Sequence, residues 1–283
     1  MNSLKHFAIA GITAVYLFSA TGCKKDSSDS SLALPPEGSM VMDASFTSTQ
    51  KSLNATSYAG LTNYQYASLA VVTWTTAAAY YTAVPTAAFQ KALQQKPVYN
   101  DTIKAWVWKY QVTYENASYE AKLTGKASTD SVQWNMYLTK TGDNYIKNYL
   151  WFTGKSSIGR TGGWWTLNYP MVVNNQLTSE GGVYIKWNYT SDKVKSLQFI
   201  SIANKKWDAT TSSFVTNDYK GGYIKFGLKD DATYNAYYNI YNAKELNLYE
   251  IVWNTTSKAG QLKLNGNVFG CWDTNRANKA TCN

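Results

Sequence analysis

The chain has 283 residues, of which 16% are charged, and a formal net charge of +9 that comes almost entirely from lysine. Its single histidine is His6, which lies inside a predicted targeting segment, so the processed protein has none. This excludes Ser-His-Asp and Cys-His catalysis and most metal sites, whereas a carboxylate-pair glycosidase stays open.

Residues 1–22 have the pattern of a signal peptide. Lys5 supplies the positive end, and Phe7 to Ala20 supply an apolar core of suitable length. Small residues then precede Cys23, and this resembles the lipobox of bacterial lipoproteins. In that family the cysteine receives a diacylglycerol and the peptide is cut just before it. The resemblance implies lipidation of Cys23, and an ordinary secretory signal with an unrelated cysteine is the alternative.

Residues 23–40 are predicted to be a flexible tether, because Ser, Asp and Lys dominate and little apolar surface is available for burial. Lys24 stands where lipoproteins retained in the inner membrane carry Asp. The resemblance therefore implies the outer membrane, on either its periplasmic face or the cell surface.

The stretch from Ser52 to Gln90 contains no Asp, Glu, Lys, Arg or His. Its Ala-rich centre, Leu61 to Val84, predicts a helix, and a helix without a charged face is normally buried on most sides. Thr and Tyr residues interrupt the apolar run, which disfavours a membrane span. Thr62 or Asn63 is the predicted cap.

Pro85 is predicted to end or kink this helix, because the residue before a proline disfavours helical angles. A second short helix is predicted from Thr86 to Gln95, where Pro97 follows it.

From Trp106 onward the pattern alternates every second residue, with aromatic and β-branched side chains broken by Gly, Asn, Asp and Ser. The pattern predicts a mainly β (α+β) fold, in which an antiparallel meander of about ten strands forms a barrel or half-barrel on the uncharged helical segment. Residues 41–283 are predicted to be one domain, helical over 41–98 and β-rich over 99–283. The predicted strands are Ala105–Tyr114, Tyr119–Thr124, Val132–Thr139, Tyr145–Thr153, Trp164–Asn168, Val183–Tyr189, Ser196–Ile202, Tyr219–Leu228, Tyr234–Tyr241, Leu246–Trp253 and Gln261–Leu264.

This order of elements resembles the unclosed β-barrel with a helical lid of periplasmic lipoprotein carriers. The Trp106-Val107-Trp108 strand and the terminal Gly270-Cys271-Trp272-Asp273-Thr274 run also resemble an uncharacterised family of bacterial lipoproteins, which implies no activity. Apart from Cys23, the chain has Cys271 and Cys282, which predict a disulfide in an oxidising compartment, and two reduced thiols are the alternative.

Aromatic residues are abundant, with 23 Tyr, 11 Trp and 9 Phe. The glycine-containing loop 159–165 offers Arg160, Trp164 and Trp165 as candidate ligand contacts, although core packing is the commoner role of such rings. Glu250 is a buried acid if the face of Leu248 points inward, and is solvated if Tyr249 and Ile251 point inward.

These observations favour a non-enzymatic lipoprotein of the cell envelope, anchored by its N-terminal lipid, that binds an apolar or amphipathic ligand or serves as a scaffold. The alternative is a surface glycan-binding or adhesion module, which predicts exposed aromatics along one sheet face. A glycosidase ranks third. The sequence presents no cofactor site, and a positive charge that comes from lysine, with Arg160 and Arg276 as the only arginines, disfavours a nucleic-acid partner. The lysines predict a solvated surface or attraction to anionic membrane or glycan.

Overall fold

The computed structural model describes residues 31–43, 45–47, 60–142, 145–173, 176–190, 193–208, 210–211 and 213–282. Residues 31–283 form one compact unit, which carries a continuous apolar core. The predicted signal peptide and the predicted lipidation site Cys23 lie outside the described residues.

Two short 3-10 helices and one long α-helix precede the strands. The 3-10 helices are Glu37–Met40 and Ser45–Thr47, and the α-helix, α1, is Asn63–Ala92. The strands in chain order are β1 Val98–Asn100, β2 Ala105–Tyr114, β3 Ala117–Ala127, β4 Ser131–Lys140, β5 Ile146–Ser157, β6 Gly162–Val173, β7 Gln176–Thr190, β8 Lys193–Ser201, β9 Lys205–Asp208, β10 Ser213–Thr216, β11 Tyr223–Leu228, β12 Ala236–Asn242, β13 Asn247–Trp253, β14 Gly260–Leu264 and β15 Asn267–Trp272.

Thirteen of these strands form one antiparallel sheet in the order β1 to β8 and then β11 to β15. Strands β9 and β10 form a separate hairpin, inserted between β8 and β11. The predicted mainly β fold with an antiparallel meander is confirmed. The sheet is an open half-barrel, because within the described ranges β1 and β15 are its two edges and do not pair with each other.

Alternating burial defines two faces of the sheet. In β4, Val132, Trp134, Met136 and Leu138 are buried, whereas Gln133 is exposed. We call the face that carries the buried residues the inner face and the opposite one the outer face. Because successive side chains of a strand point to opposite faces, the alternating aromatic and β-branched residues form an apolar inner face.

The sheet curls around α1. The hydroxyl of Tyr110 in β2 donates to the carbonyl of Ala88 over 2.6 Å, and the ring of the next residue, Phe89, lies 5.5 Å from that of Trp165 in β6. In a flat sheet β2 and β6 would lie about 19 Å apart. Neighbouring residues of one helix reach both strands because the sheet is strongly curved.

Helix α1 begins with the predicted cap. The Thr62 hydroxyl accepts from the backbone N–H of Gln65, and the Gln65 side chain accepts from the backbone N–H of Thr62. This reciprocal pair satisfies two N–H groups at the helix start.

The prediction that the helix ends near Pro85 is wrong, because α1 runs through Pro85 to Ala92 and includes most of the predicted second helix. A proline inside a helix costs about 3 kcal/mol. Beyond Pro85, the side chains of Ala88, Phe89 and Ala92 are fully buried, and this packing outweighs the local preference.

Residues 31–43 and 45–47, which we call the strap, lie on the inner face beside α1. Ser39 accepts a hydrogen bond from the Trp165 indole over 3.2 Å, and Met40 is buried. The carbonyl of Asp43 accepts from the Tyr238 hydroxyl, and Phe46 lies 4.6 Å from Trp253. The predicted tether over 23–40 therefore requires correction, because its final residues are packed into the domain.

The disulfide between Cys271 and Cys282 is present and closes a short C-terminal loop. This loop holds the start of α1, since the Asn278 side chain accepts from the backbone N–H of Asn63 over 2.7 Å. The Asn63 amide in turn donates to the carbonyl of Cys271 over 3.0 Å. The last strand and the first helical turn are thus joined.

Replacing both disulfide cysteines, in C271S/C282S, is expected to lower the free energy of unfolding by about 3 kcal/mol, because the closed loop no longer restricts the unfolded chain. Urea unfolding followed by tryptophan fluorescence measures this. Asn278→Ala, which keeps the bond and removes one contact to α1, is expected to cost about 1 kcal/mol. Equal stability of C271S/C282S and the parent protein would contradict the assignment.

Burial raises the pKa of the Tyr110 and Tyr238 phenols above the ordinary value near 10, and Asp43 adds a smaller contribution at Tyr238. Both phenols donate as neutral groups, so their contribution to stability is complete below about pH 10 and falls as the pH rises further. We expect the urea midpoint to be lower at pH 11 than at pH 9, with the fall beginning near pH 10, and we expect a smaller fall in Y110F/Y238F. The exposed control Tyr145→Phe is expected to follow the parent protein, and an equal pH dependence in all three proteins would refute this account.

Candidate functional site

An open cavity of about 400 Å³ lies between one side of α1 and the inner face of the sheet. We call it the helix–sheet groove. Its volume falls in the range of small-molecule sites. It is lined by Tyr66, Ala70, Thr73, Trp74, Ala77, Ala78 and Tyr81 of α1, by Val183, Phe199, Ile200, Ser201, Gly222, Ile224 and Tyr249 of the sheet side, and by Lys206, Asn217, Tyr219, Asn242 and Glu245 of the hairpin and turns.

Two glycines set the distance between α1 and the sheet at this groove. A Cβ atom on Gly222 would lie 2.8 Å from the Trp74 ring, and one on Gly182 would lie 3.2 Å from the Tyr81 ring. Both aromatic rings can rest on the sheet because these two positions carry no side chain. The floor of the groove is therefore apolar and aromatic.

One end of the groove is polar and surrounds Tyr219. The Lys206 ammonium lies 5.0 Å from the Tyr219 ring centre and pairs with Asp218 over 3.5 Å. Lys244 approaches the same ring to 5.7 Å, and Glu245 lines the wall beside it. A cation within about 6 Å of an aromatic face is attracted to the ring, so these contacts keep two ammonium groups at the polar end.

The loop that carries Tyr219 is held by a buried side chain, Asn217. Its amide donates to the Ser201 hydroxyl over 3.1 Å and to the Ala203 carbonyl over 3.0 Å, and its oxygen accepts from the Tyr219 N–H over 3.1 Å. A fully bonded buried amide fixes the loop conformation, so the polar end is pre-organised.

A second groove, of about 440 Å³, lies on the other side of α1, against the strap. We call it the strap groove. Small helix residues such as Ala79 and Ala83 face Val41 and Met42 across it, and none of the described residues that line it is charged. It lacks the polar end that the helix–sheet groove has.

Between the two grooves, the middle of α1 reaches solvent. Val72, Thr73, Thr76, Ala77 and Ala79 are exposed, although sequence analysis predicts a helix buried on most sides. Nothing among the described residues covers this ridge, and its lack of charge has no folding rationale. Across the described part of the chain, no helix has the length and apolarity that a membrane crossing requires.

The three predicted contact residues do not form one site. Trp165 is fully buried, 5.3 Å from the Phe152 ring, so its prediction as a ligand contact is corrected to core packing. Trp164 points to the outer face and stacks on Tyr184 at 6.0 Å. Arg160 is half-buried in the turn before β6, with a φ of 58°. Adjacent strand residues face opposite sides, which separates the two tryptophans.

The position of Glu250 does not favour acid–base chemistry at this residue. Tyr249, Ile251 and Trp253 point inward, as the second alternative for β13 predicts, so Glu250 lies on the outer face opposite Lys263. Among the residues that the structure covers, no three His, Cys, Asp or Glu side chains are grouped as metal ligands.

Comparison with known proteins adds no relative: no family model, no curated protein and no solved structure matches this chain. The helix–sheet groove is therefore interpreted from its own geometry. Trp74, Tyr219 and Lys206 were not among the residues predicted from the sequence, because they are distant in the chain and meet only through the fold. The one sequence signal for them is the absence of charge on α1 from Asn63 to Gln90, which persists at exposed positions.

Proposed function

We propose that this protein is a non-enzymatic lipoprotein of the cell envelope that binds an amphipathic ligand in the helix–sheet groove. The observation that carries the proposal is the groove itself, whose apolar aromatic floor leads to a pre-organised polar end. Such a combination matches a ligand with an apolar body and a polar head.

The position of each part of the ligand follows from the lining. Its apolar body lies along Trp74, Ala77 and Ile224, where burial of apolar area contributes roughly 25 cal/mol per Å². Its head lies near Tyr219 and Lys206. A groove of about 400 Å³ accommodates one short chain or ring system.

The uncharged exposed ridge of α1 supports the same proposal. A solvent-facing helix of an unliganded domain normally carries charged residues. Here Val72, Thr73 and Ala77 remain uncharged beside the groove, which is consistent with transfer of an apolar molecule to and from a membrane or a carrier. Anchoring at Cys23 would keep the domain near such a surface.

A surface glycan-binding or adhesion function remains the second candidate. The specific observation in its favour is the outer-face stack of Trp164 on Tyr184, at an interplanar angle of 24°. That face is separate from the helix–sheet groove, so the two functions do not compete for residues.

Native mass spectrometry of residues 24–283, with organic extraction of the copurified material, tests the proposed function. We expect a defined amphiphile in the parent protein. Ala77→Trp places an indole in the helix–sheet groove and is expected to reduce the bound fraction about tenfold by steric exclusion.

Ala79→Trp is the matched control, because it adds the same ring to an exposed position of the same helix but faces the strap groove. It is expected to retain the ligand. Loss in Ala79→Trp with retention in Ala77→Trp would refute the proposed location, and a parent protein that carries and accepts no amphiphile would refute the proposed function.

Lipid anchoring has its own test. Cys23→Ser is expected to abolish incorporation of radiolabelled palmitate and to release the protein from the membrane fraction, since the thiol is the proposed acylation site. Cys271→Ser, which leaves that thiol intact, is the control and should still be labelled. Labelling of the Cys23→Ser variant would contradict the anchor.

A further inference from the structure

The outer face carries a row of side chains that runs across the strands. Strand register places Lys126 of β3 opposite Gln133 of β4, and Gln133 opposite Lys155 of β5. Lys155 then lies opposite Trp164 of β6, and Trp164 opposite Lys186 of β7. Every second strand of this series thus contributes a lysine.

The same alternation continues into the second half of the sheet. Lys186 lies opposite Gln198 of β8, and Gln198 lies opposite Lys225 of β11. Asn239 and Glu250 follow on β12 and β13. We call Lys126, Lys155, Lys186 and Lys225 the lysine row. Amide side chains and one indole occupy the strands between its members.

The spacing of the lysine row is set by the sheet. Adjacent strands lie about 4.8 Å apart, so along the curved backbone of the sheet successive members of the row are about 10 Å apart and the whole row covers about 30 Å. One sugar residue of an extended β-linked glycan has about the length of one strand spacing. A disaccharide repeat therefore has about the period of the lysine row.

The lysines of the row reach solvent, and the Lys225 ammonium also lies 5.7 Å from the Tyr237 ring centre. Lys126, Lys155 and Lys186 are exposed and Lys225 is half-buried. Within the described ranges, the ion pairs involve Lys104, Lys206 and Lys229, and none includes the lysine row. Hydrogen bonding by Ser131 and, to a lesser degree, the charge of Lys155 lower the pKa of Asp130, so Lys155 has one acidic neighbour.

Aromatic rings lie along the row. Trp164 is a member of the series, and Tyr184 stacks against it from the neighbouring strand. Tyr223 and Tyr241 form a similar outer-face pair, with ring centres 5.7 Å apart. Indole and phenol rings stack on the C–H faces of sugars, while amides bond to hydroxyl groups. A purely solvating lysine surface does not require these partners.

We propose that the outer face binds a linear acidic glycan with one carboxylate in each disaccharide. The chain runs across the strands, its carboxylates pair with the lysine row, and one sugar ring stacks on Trp164. The site is independent of the helix–sheet groove, since the two lie on opposite faces of the sheet.

Calorimetry with hyaluronan fragments tests this, using residues 24–283 at low ionic strength. An octasaccharide presents four carboxylates and is expected to bind about tenfold more tightly than a tetrasaccharide. K155Q/K186Q is expected to weaken octasaccharide binding about tenfold, and Trp164→Ala to weaken it several-fold.

The control K147Q/K279Q removes the same charge from exposed lysines outside the row, and its affinity should stay within about twofold of the parent protein. An equal loss of affinity in this control would mean that net charge alone explains the binding, and it would overturn the site. Three other results would also overturn it: no dependence on glycan length, equal affinity for neutral chitin oligosaccharides, or binding to phosphatidylglycerol vesicles alone.

Discussion

The apolar inner face of a thirteen-stranded sheet has to be covered, and this constraint governs the whole molecule. Trp108, Trp134, Trp165, Trp187 and Trp272 are all essentially inaccessible to water, and they come from strands at both ends and the middle of the sheet. The strap and α1 provide the cover. They cross the inner face in opposite directions, since the strap passes from β3 towards β15 and α1 returns from β15 towards β2.

Two narrow elements cannot seal a broad concave surface. A helix is only about 10 Å across, so a gap remains on each side of α1, and these gaps are the helix–sheet groove and the strap groove. The proposed binding function thus follows from the mismatch between the width of the sheet and the width of its cover. The outer face needs no cover, which leaves its lysines and aromatic rings available for a different partner.

Local sequence patterns predict much of the architecture but few residues of the helix–sheet groove. The boundaries of β2 follow from the sequence because Trp106 to Tyr114 alternate clearly, whereas β15 and the β9–β10 hairpin have weak alternation and were missed. The prediction that the helix ends near Pro85 is wrong because the packing of Phe89 and Ala92 decides where the helix ends. Neither composition nor spacing shows which of Trp164 and Trp165 is buried. The fold of the sheet decides this, because it determines which face points inward. The helix–sheet groove joins Trp74 to Tyr219, and a single sequence contains no signal for so distant a contact.

The order of the elements along the chain has a consequence for biogenesis. Both covering elements precede every strand that they cover, and the start of α1 is completed by Asn278 and Cys271, more than 200 residues later. Helix α1, whose one charged residue is Lys91, is therefore synthesised before the sheet that it covers, and its first turn is completed only after the last strand is made. Contacts between residues so distant in the chain form slowly, and the partly folded intermediates are prone to aggregation. The contact between Asn63 and the disulfide-closed loop that carries Asn278 is therefore expected to form late in folding.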